Sequence, residues 1–314
     1  MQILNFKPIA FMMLILSFQA SVWAQSSTPL VPIIEVFSPL APADPSQFMK
    51  IAVIQSNPSI EAPVGAPKAD IVAYMASNRD AMKIKIEEAR TQGAQFIVLS
   101  EFAVVGYPDI PELPSEEDEF RTREDIKEFV DTIPGVSTAY FSAVAQANKV
   151  WIQFGMAEHE SVTDKYFNAV VVINDLGEIV SSYRKNTLYQ MEHNFLSPGQ
   201  DPVIIDSPMG KIGLVICADI YNDQLLNKYK TLGAQILSLS TSWASMNSGM
   251  GNFSRAAKAY SMYVLAANQN YFPDSGVINP DGTTQSHIRQ SRDSIAYGYI
   301  PLLKRNESLR PIHK

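Results

Sequence analysis

Three side chains in this sequence follow apolar runs and have the chemistry of a nucleophile, a base and a cation: Cys217, Glu101 and Lys185. Cys217 comes directly after the run 211–216 and before a helical segment, which predicts a strand-to-helix turn. At such a turn, backbone N–H groups point at the reacting atom and the helix dipole favours a thiolate. Free cysteine is also among the most buried residue types, so an inert core thiol is the alternative.

Glu101 and Lys185 have the chemistry needed to activate such a thiol. A free thiol has a pKa of about 8.5 and is mostly protonated at neutral pH, so it requires a nearby base or cation. Glu101 ends the apolar run 95–100, and carboxylates at the carboxyl ends of strands in α/β sheets often face the ligand crevice. Lys185 ends the run 181–184. Taken singly, each charged residue is more often an ordinary surface group.

The elements that must position these residues are strands that alternate with helices and with each other. Apolar spacing and Gly stops predict helices at 70–92, 122–132, 138–148, 221–232 and 253–261. Short apolar runs predict strands at 50–55, 95–100, 150–154, 167–173, 178–183, 202–207, 212–216, 235–240, 264–268 and 275–281. This order indicates a layered α/β domain with a mixed sheet. Because no repeat or break in composition follows residue 48, a single domain over 48–314 is expected.

Three motifs in this order closely resemble those of the nitrilase, or carbon–nitrogen hydrolase, superfamily. They are Phe-Ile-Val-Leu-Ser-Glu-Phe at 96–102, Tyr-Arg-Lys-Asn-Thr-Leu at 183–188 and Gly-Leu-Val-Ile-Cys-Ala-Asp at 213–219. The resemblance extends from about residue 49 to residue 281. It implies a four-layer α-β-β-α sandwich, packing of one sandwich on another in a homodimer, and catalysis without a cofactor.

The resemblance also implies roles for individual residues. Glu101 would take the thiol proton while Cys217 attacks an amide carbonyl or nitrile carbon. Lys185 and the backbone N–H of Ala218 would stabilise the tetrahedral oxyanion. The family's second glutamate corresponds to Glu192, which would orient Lys185 or assist the proton transfers. A thioester would then release ammonia or an amine and be hydrolysed by water that Glu101 activates.

Other residues in the region that resembles the family bear on the identity of the substrate. The run Cys-Ala-Asp at 217–219 departs from the Cys-Trp-Glu of true nitrilases, so a small amide or N-carbamoyl compound is expected and a nitrile is the alternative. Tyr107, Phe195 and Trp243 are expected as walls of the substrate pocket, although ordinary core packing explains such aromatic residues equally well.

Two different classes of protein remain open on the sequence. One is a papain-like thiol hydrolase that pairs Cys217 with His193 or His287. The other is a non-catalytic exported binding protein on the same scaffold. A metal site is not expected, because the four histidines show no ligand spacing with one another or with the cysteine.

The beginning of the sequence has the pattern of a secretory signal. Lys7 precedes the apolar run 9–18, and Val22-Trp-Ala24 has small residues where a signal peptidase reads. The run is shorter than the roughly 18–20 residues of a membrane-spanning helix. A signal peptide over 1–24, cleaved near Ala24, therefore predicts an exported protein, periplasmic or secreted, without a stable membrane anchor. Residues 25–47, rich in Ser, Pro and Ala, are expected to form a linker or arm.

The overall charge limits the partners of the protein. The formal net charge is −7 and the sequence pI is about 5.2. Nucleic acids and anionic membranes both attract clustered Lys and Arg side chains, so neither is expected as a partner. The small-molecule substrate is what the family resemblance implies.

Overall fold

The fold is seen in a computed structural model. It describes residues 36–56, 64–106, 120–243, 249–269 and 273–303, and the statements below concern this part of the chain. The predicted signal segment, most of the predicted arm, and Tyr107 lie outside the described residues. Within the described residues, no helix combines the length and the apolar character needed to cross a bilayer.

Six α-helices and two 3₁₀ turns are present in the described residues. The helices are α1 (Lys68–Thr91), α2 (Arg123–Ile126), α3 (Val136–Asn148), α4 (Glu192–Phe195), α5 (Asp223–Thr231) and α6 (Gly249–Tyr260). The 3₁₀ turns are Pro45–Gln47 and Cys217–Tyr221.

Thirteen strands accompany them in the same part of the chain. They are β1 (Val36–Phe37), β2 (Phe48–Gln55), β3 (Phe96–Val98), β4 (Trp151–Glu160), β5 (Lys165–Ile173), β6 (Ile179–Arg184), β7 (Ile204–Ser207), β8 (Gly210–Ile216), β9 (Ile236–Thr241), β10 (Tyr263–Asn268), β11 (Ser275–Ile278), β12 (Thr284–Ile288) and β13 (Ser294–Pro301).

The strands form two sheets. The first sheet has the order β13-β2-β3-β4-β5-β6, and the second has the order β1-β12-β11-β10-β9-β8-β7. Parallel pairs β2/β3 and β3/β4 lie inside the first sheet, while β8/β9 and β9/β10 are parallel in the second. The strands that precede Glu101 and Cys217, β3 and β8, are therefore both interior strands, each in a different sheet.

The two sheets pack face to face through the alternate residues of their strands. In β2, Ile51 and Val53 belong to the core between the sheets, together with Leu214 and Leu265 of the second sheet. This alternation follows from the two-residue period of a strand, which sends successive side chains to opposite faces.

Helices cover the outer face of each sheet. Phe141 of α3 and Met82 of α1 share a buried cluster with Ile97 of β3. Phe253 of α6 shares a second outer cluster with Leu239 of β9. Three apolar cores thus separate four layers, and the predicted α-β-β-α sandwich is confirmed.

The helix predicted over 122–132 is much shorter than expected, because α2 ends at Ile126. Asp131 instead forms a β-bridge with Glu158, and its carboxylate accepts the N–H groups of Val136 and Ser137 at the start of α3. A side chain that bonds to backbone groups competes with the helix that would otherwise include it.

The prediction ended with a strand and turn at 275–281 and missed β12 and β13. The sequence of β12 is polar, and β13 contains Gly298 and Pro301, two residues that are uncommon in strands. Within β13, Ile300 pairs with Met49 of β2 and is 1% exposed.

Candidate active site

Glu101 lies just beyond β3, where the chain leaves the first sheet. Its side chain is 1% exposed, and Phe102 after it has a left-handed φ of 48°. Gly155 of β4 lies against this turn: a Cβ there would be 2.6 Å from both the Ser100 oxygen and the Phe102 nitrogen. The turn that places Glu101 therefore requires a residue without a side chain on β4.

Gly155→Ala is expected to lower kcat by roughly tenfold to a hundredfold, because the extra methyl group displaces the backbone of Glu101. Overpacking of this kind also costs about 1–3 kcal/mol of stability. Steady-state kinetics and thermal unfolding would measure both effects. The control is Gly251→Ala in α6, where no described atom lies within 4 Å of the new Cβ. Unchanged kinetics in the Gly155 variant would contradict the positioning role.

Lys185 is the residue after β6 and is also 1% exposed. Its backbone is held on both sides: its N–H donates to the Asn168 carbonyl (2.8 Å), and its carbonyl accepts from Gly199 (2.7 Å). The ammonium donates to Glu101 Oε1 at 2.9 Å and to Glu192 Oε2 at 2.8 Å. A buried ammonium between two carboxylates is thus the centre of the site.

Glu192 begins α4 and is 1% exposed. Besides Lys185, its Oε2 accepts the backbone N–H of Tyr189 at 2.6 Å. Sequence reasoning assigned this glutamate by the resemblance alone, and the structure brings it to the same ammonium as Glu101.

Cys217 follows β8 and begins the 3₁₀ turn that ends at Tyr221. It is half-buried and has a left-handed φ of 42°, a conformation that costs a residue with a side chain about 1–2 kcal/mol. The Asp219 carboxylate accepts the Ile216 N–H at 3.0 Å and the Thr187 N–H at 2.8 Å. It therefore ties the cysteine turn to the segment that follows Lys185.

Burial of the Cys217 sulfur favours its protonated form. Burial raises the pKa of Cys217 to about 12, the charge of Glu101 adds to this increase, and the charge of Lys185 opposes it. Desolvation thus opposes the thiolate that the turn is expected to favour. A thiol with this pKa must lose its proton to a base during the reaction.

Glu101 is suited to be that base. Burial raises the pKa of its carboxyl, the Lys185 ammonium lowers it, and the Glu192 charge raises it. Opposed contributions of this kind leave a carboxylate that accepts a proton more readily than an exposed one. Because both Glu101 and Lys185 act electrostatically on the thiol, the three predicted residues share one site.

Ala218, the second residue of the 3₁₀ turn, is 7% exposed. The first N–H groups of such a turn have no acceptor within it, so they are available to an incoming oxyanion. This placement is compatible with the role implied by the resemblance.

The two aromatic residues that can be assessed are largely buried. Phe195 packs edge-on against Phe120, with ring centroids 6.0 Å apart, in the cluster outside the first sheet. Trp243 lies between the half-exposed Tyr221 (5.3 Å) and Phe253 (5.4 Å), in a cluster that Cys217 also contacts. Of these two aromatic residues, Trp243 therefore belongs to the cluster that contacts Cys217, and Phe195 does not.

The two histidines that a papain-like site would use, His287 and His193, both lie in the described part of the chain. His287 is on β12, four strand steps from β8, roughly 19 Å at strand spacing, and it pairs with Asp274 at 2.8 Å. His193 is exposed, next to the buried Glu192. This arrangement does not support a papain-like pair of Cys217 with His193 or His287.

Two groups in the site were missed by sequence reasoning. Asn168 donates to Glu101 Oε1 at 2.6 Å, and the Ser242 N–H donates to Glu101 Oε2 at 2.8 Å. Asn168 had a signal, since it is a single amide within an otherwise apolar strand run. The Ser242 contribution comes from the backbone, which a side-chain pattern does not reveal.

Comparison with known proteins identifies similar sequences. A family model described as carbon–nitrogen hydrolase matches residues 50–306. A nitrilase from Pyrococcus abyssi is 30% identical over 60% of this chain and 63% of its own length. A chloroplastic omega-amidase from Arabidopsis thaliana is 30% identical over 55% of this chain and 47% of its own length. The alignments thus span about half to two thirds of these relatives.

Solved structures have the same fold. Saccharomyces cerevisiae Nit3, a member of the nitrilase superfamily, superposes with a TM-score of 0.66 and 19% identity over 81% of this chain and 90% of that one. An amidase from Nesterenkonia sp. AN1, solved in complex with acrylamide, has a TM-score of 0.65 and 18% identity, covering 83% of this chain and 93% of its own.

Proposed function

Because the chain belongs to the carbon–nitrogen hydrolase family, we propose that it hydrolyses the C–N bond of a small amide or N-carbamoyl compound through a thioester on Cys217. The observation that carries this proposal is the buried Lys185 ammonium, held 2.9 Å from Glu101 and 2.8 Å from Glu192 beside a half-buried thiol. A buried charge triad is costly to assemble, and a purely structural role would be met more cheaply by apolar residues.

Acylation uses the three groups together. Glu101 takes the thiol proton as the sulfur attacks the carbonyl carbon, and the carbonyl oxygen becomes an oxyanion. The Lys185 ammonium and the Ala218 N–H stabilise this oxyanion. The intermediate collapses when the proton on Glu101 passes to the leaving nitrogen, which departs as ammonia or an amine and leaves a thioester.

Deacylation repeats these steps with water. Glu101 removes a proton from a water molecule while the oxygen of that water attacks the thioester carbon. When the second tetrahedral intermediate collapses, the sulfur leaves and recovers a proton, and a carboxylic acid is released. Glu101 thus exchanges one proton in each half-reaction, which suits a carboxyl whose pKa burial raises.

An amide is preferred to a nitrile because Ala218 and Asp219 follow the cysteine in place of Trp-Glu. Amidases from Arabidopsis and Dictyostelium discoideum also occur among the relatives, with 30% and 27% identity, alongside the Pyrococcus nitrilase. The nitrile alternative is an outcome of the experiment below.

A panel of short amides, carbamoyl amino acids and nitriles, assayed for released ammonia or amine, tests the proposal. Acid quenching during turnover is expected to trap an acyl adduct on Cys217 that mass spectrometry detects and that Cys217→Ala lacks. If the chain turns over only the nitriles of the panel, the substrate class is nitriles and the amide proposal is wrong. The absence of both turnover and adduct would favour a binding protein, in which iodoacetamide labels the thiol only after denaturation.

We also propose that the chain is exported and forms a homodimer. The sequence pattern of residues 1–24 supports export, and the resemblance supports the dimer. N-terminal sequencing of protein recovered from the periplasm or medium is expected to begin at Gln25. Light scattering is expected to give twice the mass of the mature chain, and a monomeric mass would reject the dimer.

A further inference from the structure

Asn168 lies at the centre of the charged cluster although it carries no charge. It belongs to β5, is 1% exposed, and its carbonyl accepts the Lys185 N–H at 2.8 Å. Its backbone position is therefore tied directly to the residue that carries the buried ammonium.

The side chain of Asn168 bridges the two carboxylates. Its Nδ2 donates to Glu101 Oε1 at 2.6 Å and to Glu192 Oε1 at 2.9 Å. An amide NH₂ has two protons, so both donors are used. The reverse orientation would turn a carbonyl oxygen towards two carboxylates, so the chemistry of the neighbours fixes which atom faces them.

The two carboxylates differ in the donors they receive from the described residues. Each oxygen of Glu192 accepts two hydrogen bonds, since Lys185 donates to both, Asn168 to Oε1 and the Tyr189 N–H to Oε2. Glu101 Oε1 also accepts two, from Lys185 and Asn168. Glu101 Oε2 accepts one, from the Ser242 N–H.

This inventory separates the roles of two otherwise identical side chains. A carboxylate oxygen that already accepts two donors would lose one of them on receiving a proton, whereas Glu101 Oε2 retains an unused lone pair. We propose that Asn168 is a positioning residue: by bridging Glu101 and Glu192, it keeps Glu192 as the fixed anion of Lys185 and leaves Glu101 Oε2 as the proton acceptor.

A neutral donor is required for this arrangement. A second ammonium at this position would hold both carboxylates ionised and weaken the base, while an acid would add a third negative charge around one Lys185. Asparagine supplies two hydrogen bonds without changing the charge of the cluster. The inference rests on the proposed function for its consequences in turnover, but the geometry itself does not depend on the substrate.

The test compares Asn168→Ala and Asn168→Asp with the control Asn148→Ala, which removes a half-buried amide at the end of α3. The first measurement is the pH dependence of kcat/KM. Both Asn168 variants are expected to move the acid limb to higher pH, by about one pH unit for the aspartate, because Glu101 loses a donor or gains a negative neighbour. A fall in kcat of roughly tenfold to a hundredfold should accompany the shift, with KM changed less.

The second measurement needs no turnover. The rate of Cys217 alkylation by iodoacetamide, followed against pH, reports Glu101 through its action on the thiol. The same displacement of the pH profile is expected in both Asn168 variants and not in Asn148→Ala. If the wild-type chain hydrolyses nothing in the panel while this displacement appears, the proposed function fails and the role of Asn168 stands.

One outcome of these measurements would contradict the positioning role of Asn168. Folded Asn168 variants with the wild-type acid limb in both measurements would show that the amide only fills space, whatever happens to kcat. If the aspartate variant does not fold, Asn168→Ala and Asn168→Ser, which remove the bridge without adding charge, decide the question by the same profiles.

Discussion

Glu101→Gln is expected to lower kcat for amide hydrolysis by about 10²- to 10⁴-fold while the chain remains folded. Glutamine keeps the shape of the side chain and can still accept from Lys185 and Asn168 through its oxygen. It cannot take a proton from a thiol whose pKa burial raises to about 12. Its amide NH₂ would also face the Ser242 N–H, which now donates to Oε2.

The control for this variant is Glu178→Gln, an exposed glutamate in the β5–β6 turn whose carboxylate accepts from Asn174 Nδ2 in the same turn at 2.8 Å. Its kinetics should match those of the wild-type chain. Pre-steady-state acylation separates the mechanisms: a thiol hydrolase with a histidine base would retain acylation in Glu101→Gln. A decrease in kcat of only a few fold would therefore contradict the role of Glu101 as the base.

The wild-type pH profile should reflect the same carboxyl. Burial raises the pKa of Glu101, and the base acts only when it is ionised. Activity is therefore expected to fall as the pH decreases through a value above the roughly 4.3 of an ordinary glutamate. The Glu101→Gln variant should lack this dependence in whatever activity it retains.

Lys185→Met is expected to abolish turnover and to destabilise the fold by about 3–5 kcal/mol, because it leaves buried carboxylates without their cation. Methionine fills a similar volume, so loss of packing contributes little. Urea unfolding monitored by fluorescence would measure the change. Lys83→Met in α1 is the control: its exposed pair with Glu87 should be worth less than about 1 kcal/mol.

The destabilisation in Lys185→Met should increase with pH. In the wild-type chain the ammonium lowers the pKa of Glu101 against the effect of burial, and the variant loses this compensation. In the variant, the pKa of Glu101 in the folded chain therefore lies further above the unfolded value of about 4.3. At a pH between these two values, the folded chain holds a proton that the unfolded chain has released. Stability is then lost as the pH rises between these two values.

Unfolding at about pH 5 and about pH 8 would check the sign. Adding Glu101→Gln to the lysine variant is expected to restore part of the stability, particularly at the higher pH, without restoring activity. Equal destabilisation of the single variant at both pH values would contradict a site in which Glu101 and the ammonium are coupled.

Much of the fold can be read from local patterns. The two-residue alternation of Ile51 and Val53, the 3.6-residue spacing in α1, and Gly stops after helices are properties of neighbouring residues, and the structure confirms most of these elements. Where a long-range partner supplies the stabilisation, as for the polar strand β12 between β1 and β11, the local pattern is uninformative. Asp131, which the predicted helix would have included, pairs with the distant Glu158 and lies outside α2.

For the site, Glu101, Lys185 and Cys217 were singled out by three short motifs in chain order, each at the end of an apolar run, that resemble those of the carbon–nitrogen hydrolase superfamily. The burial that raises the pKa of the thiol, the donors on each carboxylate and the bridging amide of Asn168 came only with the folded chain. These properties depend on burial and on contacts between residues far apart, such as the 84 positions between Glu101 and Lys185. Desolvation and hydrogen-bond geometry arise when such distant segments pack together, and no local pattern contains them.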